Sequence, residues 1–156
     1  MIEEMPLPIT DNPIDAPFWK AALRSELIVQ LCEDCGAPRH PPRAMCPHCQ
    51  SIKVGWTKLS GWGRIWSFAT PQPPLLPVFA KMVPYVCAVV ETVEFPEIRL
   101  VGPLLAASED KFLSATAQQI KIGQTVNVKF FTCTEDVALA GWVLADDDAP
   151  IRKGEK

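Results

Sequence analysis

Four cysteines, written Cys32-Glu-Asp-Cys35 and Cys46-Pro-His-Cys49, form a C-x2-C-x10-C-x2-C array, and this array constrains the fold more than any other feature of the chain. Two short knuckles that each supply a pair of thiolates suit a single tetrahedral zinc ion. A disulfide framework is the rival reading, and close C-x-x-C pairs without a secretory leader argue against it. Gly36 follows the first knuckle, where a chain reversing beneath a metal often needs a positive φ, and Pro47 stiffens the second. With Cys32, Cys35, Cys46 and Cys49 all ligating, no position remains for water or substrate. The expected metal is therefore structural, with iron as a substitute that four thiolates also accept.

A ribbon of about thirty residues cannot bury enough apolar surface to fold alone. Metal binding, worth an apparent ~10–16 kcal/mol in small zinc modules, supplies the difference. The whole chain of 156 residues has 48% hydrophobic content, enough for a real core. No apolar run approaches the length of a membrane span. The start, Met1-Ile-Glu-Glu-Met-Pro-Leu-Pro8, carries acid and proline where a leader needs basic charge, so the cytoplasm is the expected compartment. Cys87 and Cys133 lie in apolar stretches and are expected to be buried reduced thiols.

Charge is unevenly placed. Residues 17–59 hold six Lys or Arg against three acids, whereas residues 60–148 hold six against ten. The ribbon is basic and the remainder acidic. Four thiolates around zinc make a net dianion, so Arg39, Arg43, Lys53 and Lys58 either balance that charge or bind phosphate.

Asp15 reads as an N-cap with Pro17 in the first turn, and Phe18, Trp19, Ala22 and Leu23 recur at helical spacing to about Ser25. So short a helix must pack on something, either its own chain or another subunit. Leu27–Leu31 reads as a strand entering the first knuckle, and 39–45 as an irregular return. Then come extended segments at 62–70, 85–92 and 98–105, the last two joined as a hairpin by Glu94-Phe-Pro-Glu97. A helix is expected over 108–119, capped by Ser108, followed by strands at 125–132 and 139–145. Three strands, a helix and two strands is the element order of an OB-fold barrel, so the fold class is mainly β. Between the first two barrel strands, 71–84 is too proline-rich for regular structure and too apolar for a tether. The expectation is a loop laid across the barrel mouth or a partner. The expected division is a helical segment 1–26, a zinc ribbon 27–55, an OB-fold 56–146 and a frayed tail 147–156.

Phe18-Trp19, Leu31-Cys-Glu-Asp-Cys-Gly36, Pro42-Arg43, Cys46-Pro-His-Cys49 and Ser60-Gly-Trp-Gly-Arg-Ile-Trp-Ser-Phe68 together resemble the domain-of-unknown-function family that joins a rubredoxin-like zinc ribbon to an OB-fold. The hairpin turn departs from the pattern, since many relatives carry a glycine there. The resemblance implies an acyl-CoA-associated accessory subunit of a thiolase-like, acyl-CoA synthase or aldolase partner. Guided by it, Arg39, Arg43 and Lys58 are candidates for the phosphates of CoA. Phe18, Trp19, Leu75, Leu76 and Phe79 are candidates for contact with the acyl group or partner.

Two other readings remain. An enzyme acting alone finds little support, because His40 and His48 have no neighbouring nucleophile or acid at a spacing that suggests a triad. A single-stranded nucleic-acid binder would use Trp62, Trp66 and Phe68 with Arg64, although OB interiors also need such groups and the barrel is net acidic. An exposed apolar surface would also permit a homodimer.

Overall fold

The computed structural model describes residues 5–107 and 111–145. Helix α1 spans Ala16–Leu23, with Pro17 in its first turn as the sequence indicates. Asp15 occupies the N-cap position, but its side chain makes no capping bond. The carbonyl of Asn12 instead accepts from the backbone N–H of Asp15 and Ala16 at 3.1 and 2.8 Å. One face of α1 buries Phe18, Ala21 and Ala22. Phe18 joins Leu27, Val29, Leu59, Ile65, Val90 and Trp142 in the main core, so the helix is held by its own chain.

The ribbon is a three-stranded antiparallel sheet ordered β2-β1-β3, made of β1 (Ile28–Cys32), β2 (Pro38–Arg39) and β3 (Val54–Lys58). Sequence reading missed β3 as a ribbon strand. Its partner register, Ile28 with Lys58 through Cys32 with Val54, encloses the whole metal loop between two paired strands. Because Leu27 and Val29 reach into the barrel core, ribbon and barrel share one apolar interior.

The barrel comprises β4 (Trp62–Ala69), β5 (Cys87–Thr92), β6 (Arg99–Pro103), β7 (Thr125–Thr134) and β8 (Val137–Leu144). The strands run in the order β6-β5-β4-β7-β8 and are antiparallel at each pairing. A parallel bridge between Leu104 and Trp142 closes the ends, with the Leu105 N–H donating to the Trp142 carbonyl at 2.7 Å. This is the closure of an OB-fold. Strand β4 serves both neighbours by bending at a bulge between Ile65 and Ser67. At Gly63 a Cβ would collide with the Val90 side chain and sit 2.6 Å from the Glu91 carbonyl, so only glycine lets β5 lie this close. The 94–97 turn is tied by Thr92, whose Oγ1 donates to the Phe95 carbonyl at 2.9 Å.

Two expectations need correcting. Among the described residues of 108–119 there is no α-helix, only a 3-10 turn at Ala117–Gln119 closed by a Thr116–Gln119 capping box. Phe112 pairs with Leu105 and Ser114 with Tyr85 through isolated bridges, and these hold the segment extended across the barrel end. The proposed cap Ser108 lies outside the described residues, as do 147–156. The 71–84 segment is also not wholly irregular, since Pro77–Ala80 forms one helical turn, α2. Its Val78 is buried with Met5, Leu105 and Phe131 in a second cluster, which fastens the segment to the barrel.

Candidate metal centre and aromatic cavity

Cys32 ends β1, and the chain turns back at once: the Gly36 N–H donates to the Cys32 carbonyl at 2.8 Å and the Cys32 N–H to the Ala37 carbonyl at 2.9 Å. Gly36 takes φ +71°, as its place after the knuckle predicts. The second knuckle repeats the arrangement, with the Gln50 N–H on the Cys46 carbonyl at 2.9 Å and the Cys46 N–H on Ser51 at 2.8 Å. Here Gln50 holds the positive φ, 62°, without the help of glycine. The four Sγ atoms lie within 4.8 Å of one another. Cys32 and Cys49 are 3.6 Å apart, as are Cys35 and Cys46, and no disulfide forms. A tetrahedron with metal–sulfur bonds of about 2.3 Å has edges of about 3.8 Å, so the cluster already has the size of a tetrathiolate site.

The backbone prepares two of these thiols to ionise. The Cys35 N–H, and less strongly that of Asp34, bring Cys32 down to about 6, and the Cys49 and His48 N–H groups lower Cys46. Asp34 beside them accepts from Lys53 Nζ at 2.8 Å and Ser51 Oγ at 2.6 Å, which braces one knuckle against the other.

Of the three cationic candidates, Arg39 and Arg43 line one cleft of about 450 Å³ between the ribbon and the β5–β6 turn, together with His40, His48 and Glu97. Lys58 stands apart from this cleft, its Nζ 3.0 Å from a carboxylate oxygen of Glu26. Arg43 is positioned by Gln30, whose buried Oε1 accepts its backbone N–H at 2.8 Å.

Three of the five apolar candidates meet in a second space. Phe18 and Trp19 from α1 and Phe79 from α2 line a cavity of about 510 Å³ with Tyr85, Phe112 and Phe131. Leu75 is half-buried and Leu76 exposed, and neither reaches it. The floor is the seam where β6 meets β8, at Gly102 and Pro103 opposite Leu139 and Ala140. A Cβ at Gly102 would stand 2.9 Å from the Ala140 carbonyl, so glycine permits that approach. Sequence reading could not find this cavity, because its walls come from the N-terminal segment, the ribbon, the 71–84 segment, four strands and the bridged residues Tyr85 and Phe112.

The cavity is not wholly apolar. Asp15 Oδ1, Trp19 Nε1 and His40 Nδ1 are buried polar atoms without a hydrogen-bond partner among the described residues, and all three residues line it. Burial pushes the His40 imidazole down to about 4, so it is neutral near pH 7. The cavity-lining Cys87 thiol is pushed up by burial and stays protonated. The space therefore offers a neutral imidazole, an indole donor and a carboxylate among aromatic rings, without an ionised nucleophile on Cys87.

Comparison with known proteins decides the family. The description "ChsH2, rubredoxin-like zinc ribbon domain" matches residues 19–52, and "ChsH2, C-terminal OB-fold domain" matches 56–131. The chain belongs to the ChsH2-type zinc-ribbon and OB-fold family, DUF35. Among curated relatives, a probable enoyl-CoA hydratase alpha subunit of Thermomonospora curvata is 32% identical over 141 residues, 88% of this chain and 40% of that protein. The 3-oxo-4,17-pregnadiene-20-carboxyl-CoA hydratase alpha subunit of Mycobacterium tuberculosis is 33% identical over 58% of this chain and 27% of its own length. This DUF35 chain thus spans well under half of these two relatives. A DUF35 domain-containing scaffold protein of Methanocaldococcus jannaschii is 29% identical over 70% of this chain and 71% of its own. Among solved structures, the Ltp2-ChsH2(DUF35) aldolase superposes with a TM-score of 0.73 at 28% identity, covering 88% of this chain and 98% of that one. A Sulfolobus solfataricus DUF35 protein shares the fold, with a TM-score of 0.55 at 15% identity over 86% of this chain and 87% of that one. Relatives of this DUF35 protein are accordingly named as scaffolds or subunits of acyl-CoA enzymes.

Proposed function

We propose that this chain is a non-catalytic subunit that holds zinc structurally and serves an acyl-CoA enzyme by receiving the acyl end of its substrate in the aromatic cavity. One observation carries the reading: a cavity of about 510 Å³ lined by aromatic rings from otherwise separate segments, with three orphaned polar atoms in its walls. Buried polar atoms without partners are costly, and a bound group that pairs with them removes the cost. A thioester or amide suits, because the Trp19 indole N–H can donate to a carbonyl while Asp15 Oδ1 can accept from an N–H. Neutral His40 can take either part according to tautomer.

The four thiolates occupy every place of a zinc tetrahedron, so the ion shapes the ribbon and leaves chemistry to a partner. The partner is a thiolase-like, acyl-CoA synthase or aldolase subunit, as the scaffold and aldolase names of the relatives support. Exposed Leu76 on the loop before α2 and exposed Ile52 on the ribbon are apolar positions for it to cover. Phe18 is committed to the core and acts through the cavity rather than at an interface.

Co-expression with acyl-CoA enzymes from the same gene neighbourhood is the test, read by size exclusion with light scattering and by turnover. A stoichiometric hetero-complex is expected, whose acyl-CoA turnover drops when Ala140→Phe fills the cavity without dissociating the complex. Turnover by the purified chain alone, or a homodimer that associates with none of those enzymes, ends this reading. Tighter binding of single-stranded oligonucleotide than of acyl-CoA would favour the nucleic-acid alternative, but Trp66, half-exposed on the barrel, already has Arg99 stacked 4.0 Å above its ring.

A further inference from the structure

Arg39 sits on β2 at only 3% exposure, paired in register with Gln30. Its Nε and both terminal nitrogens are buried, and none has a hydrogen-bond partner among the described residues. A guanidinium carries five N–H donors and does not lose its charge near neutral pH. Leaving one dry and unpaired is among the costliest arrangements a fold can hold, whereas pairing it with an oxyanion turns the cost into a strong charge-assisted contact. Arg39 is one of the residues lining the cleft of about 450 Å³ between ribbon and barrel turn, and Arg43 is another.

Three other ionisable groups line that cleft. His40 is held neutral by burial, His48 is exposed on the second knuckle, and Glu97 is exposed on the barrel side. Glu97 makes no ion pair with Arg39 in this arrangement. The cleft thus brings together two arginines, Arg39 buried and Arg43 exposed with its backbone N–H on Gln30.

We infer that the ribbon–barrel cleft is an oxyanion site for a phosphate group, with Arg39 as its floor and Arg43 closing over it. A phosphate fits better than a carboxylate because it presents enough oxygens for two guanidinium forks at once. The site stands independently of the accessory role, and only the naming of CoA as the phosphate carrier rests on the acyl-CoA reading.

The test uses the full metal-loaded chain at constant chloride, with millimolar inorganic phosphate, CoA and dephospho-CoA as probes, followed by calorimetry and thermal melting. Phosphate is expected to raise the melting temperature, and Arg39→Met and Arg43→Gln each to weaken its binding at least about tenfold. In phosphate-free buffer Arg39→Met should melt at or above wild type, because it removes an unpaired buried charge. Glu97→Gln should bind phosphate more tightly, since it removes a like charge from the cleft wall. CoA binding at least about tenfold tighter than dephospho-CoA assigns the site to the 3′-phosphate. Equal binding of those two with a persisting inorganic-phosphate effect keeps the site and removes that phosphate as its occupant. No phosphate effect in wild type, an equal effect in Arg39→Met, or a Glu97→Gln variant that melts lower and binds phosphate no better overturns the inference. The last result would make Glu97 the counterion of Arg39.

Discussion

The ribbon and the barrel are held together by different means. In the barrel, five strands close over a core whose largest fully buried side chain is Trp142, and closure through Leu104 and Trp142 leaves the seam paired. In the ribbon, β2 has two residues, both knuckles are mostly exposed, and order depends on four sulfurs and the backbone N–H groups that support them. The ribbon also borrows. Leu27, just before its first strand, and Val29 on that strand are buried in the barrel core at 2% and 0% exposure, so loss of the metal should be felt beyond the knuckles.

Cys32→Ser is the strongest way to break this contrast. One thiolate fewer opens the tetrahedron, and metal binding in such modules is the folding energy. Near-stoichiometric zinc or iron is expected in wild type and little in the variant by elemental analysis. Amide exchange should lose protection throughout 28–58, and the barrel should keep β4, β5 and β7 but melt lower, because Leu27 and Val29 withdraw. A barrel melting unchanged in Cys32→Ser would show that the shared core counts for nothing.

Trp142→Ala attacks the other side. Removing a fully buried indole from the seam should cost about 3–5 kcal/mol by chemical denaturation. The metal content should stay near wild type under native conditions, since the thiolates are contacted from the ribbon alone. Zinc loss in parallel with unfolding, at the same denaturant concentration, would instead make ribbon and barrel one cooperative unit.

His40 connects the two regions, its ring 5.5 Å from that of Phe18. Its folded pKa is depressed from 6.5 to about 4 by burial, while the unfolded chain titrates near 6.5. The unfolded state therefore binds the extra proton first. Stability is fully present above pH 6.5 and falls as the pH drops towards 4, by roughly 3 kcal/mol if the whole shift is realised. His40→Gln should flatten the stability curve between pH 6.5 and 4 relative to wild type, with thiolate protonation common to both. Parallel curves would mean that the imidazole is solvated after all.

What the sequence made legible follows the range of the forces involved. The cysteine array, Pro17 at a helix start and the strand order are local or strictly periodic, and each appears where expected. Strand β3 was missed because Val54-Gly-Trp-Thr-Lys58 is short and half-buried, and only its pairing with β1 makes it a strand. The helix expected over 108–119 had periodic Phe112, Leu113 and Ala117, but bridges to Leu105 and Tyr85 prevail over that local pattern. Arg39 and Arg43 could be named as cations, yet nothing in the sequence separates the buried one from the exposed one. Lys58 looked equivalent to them until its carboxylate partner, Glu26, was visible across the sheet.

That last pair, at the base of the ribbon, set against its counterpart at the knuckles, gives the finest comparison. Lys58, at the end of β3, meets Glu26 at 3.0 Å, and Lys53 meets Asp34 of the first knuckle at 2.8 Å. All four side chains are substantially solvent-exposed, so water and salt screen both pairs and holding long side chains in place offsets much of the attraction. Lys58→Met should be indistinguishable from wild type in melting temperature at physiological salt. Lys53→Met should be nearly so, yet Asp34 is also the acceptor for Ser51 Oγ, so its partner braces one knuckle on the other. A measurable drop for Lys53→Met alone, appearing as faster zinc release to a chelator and vanishing in high salt, would show that surface charge contributes at the knuckles where it contributes nothing at the base of the ribbon.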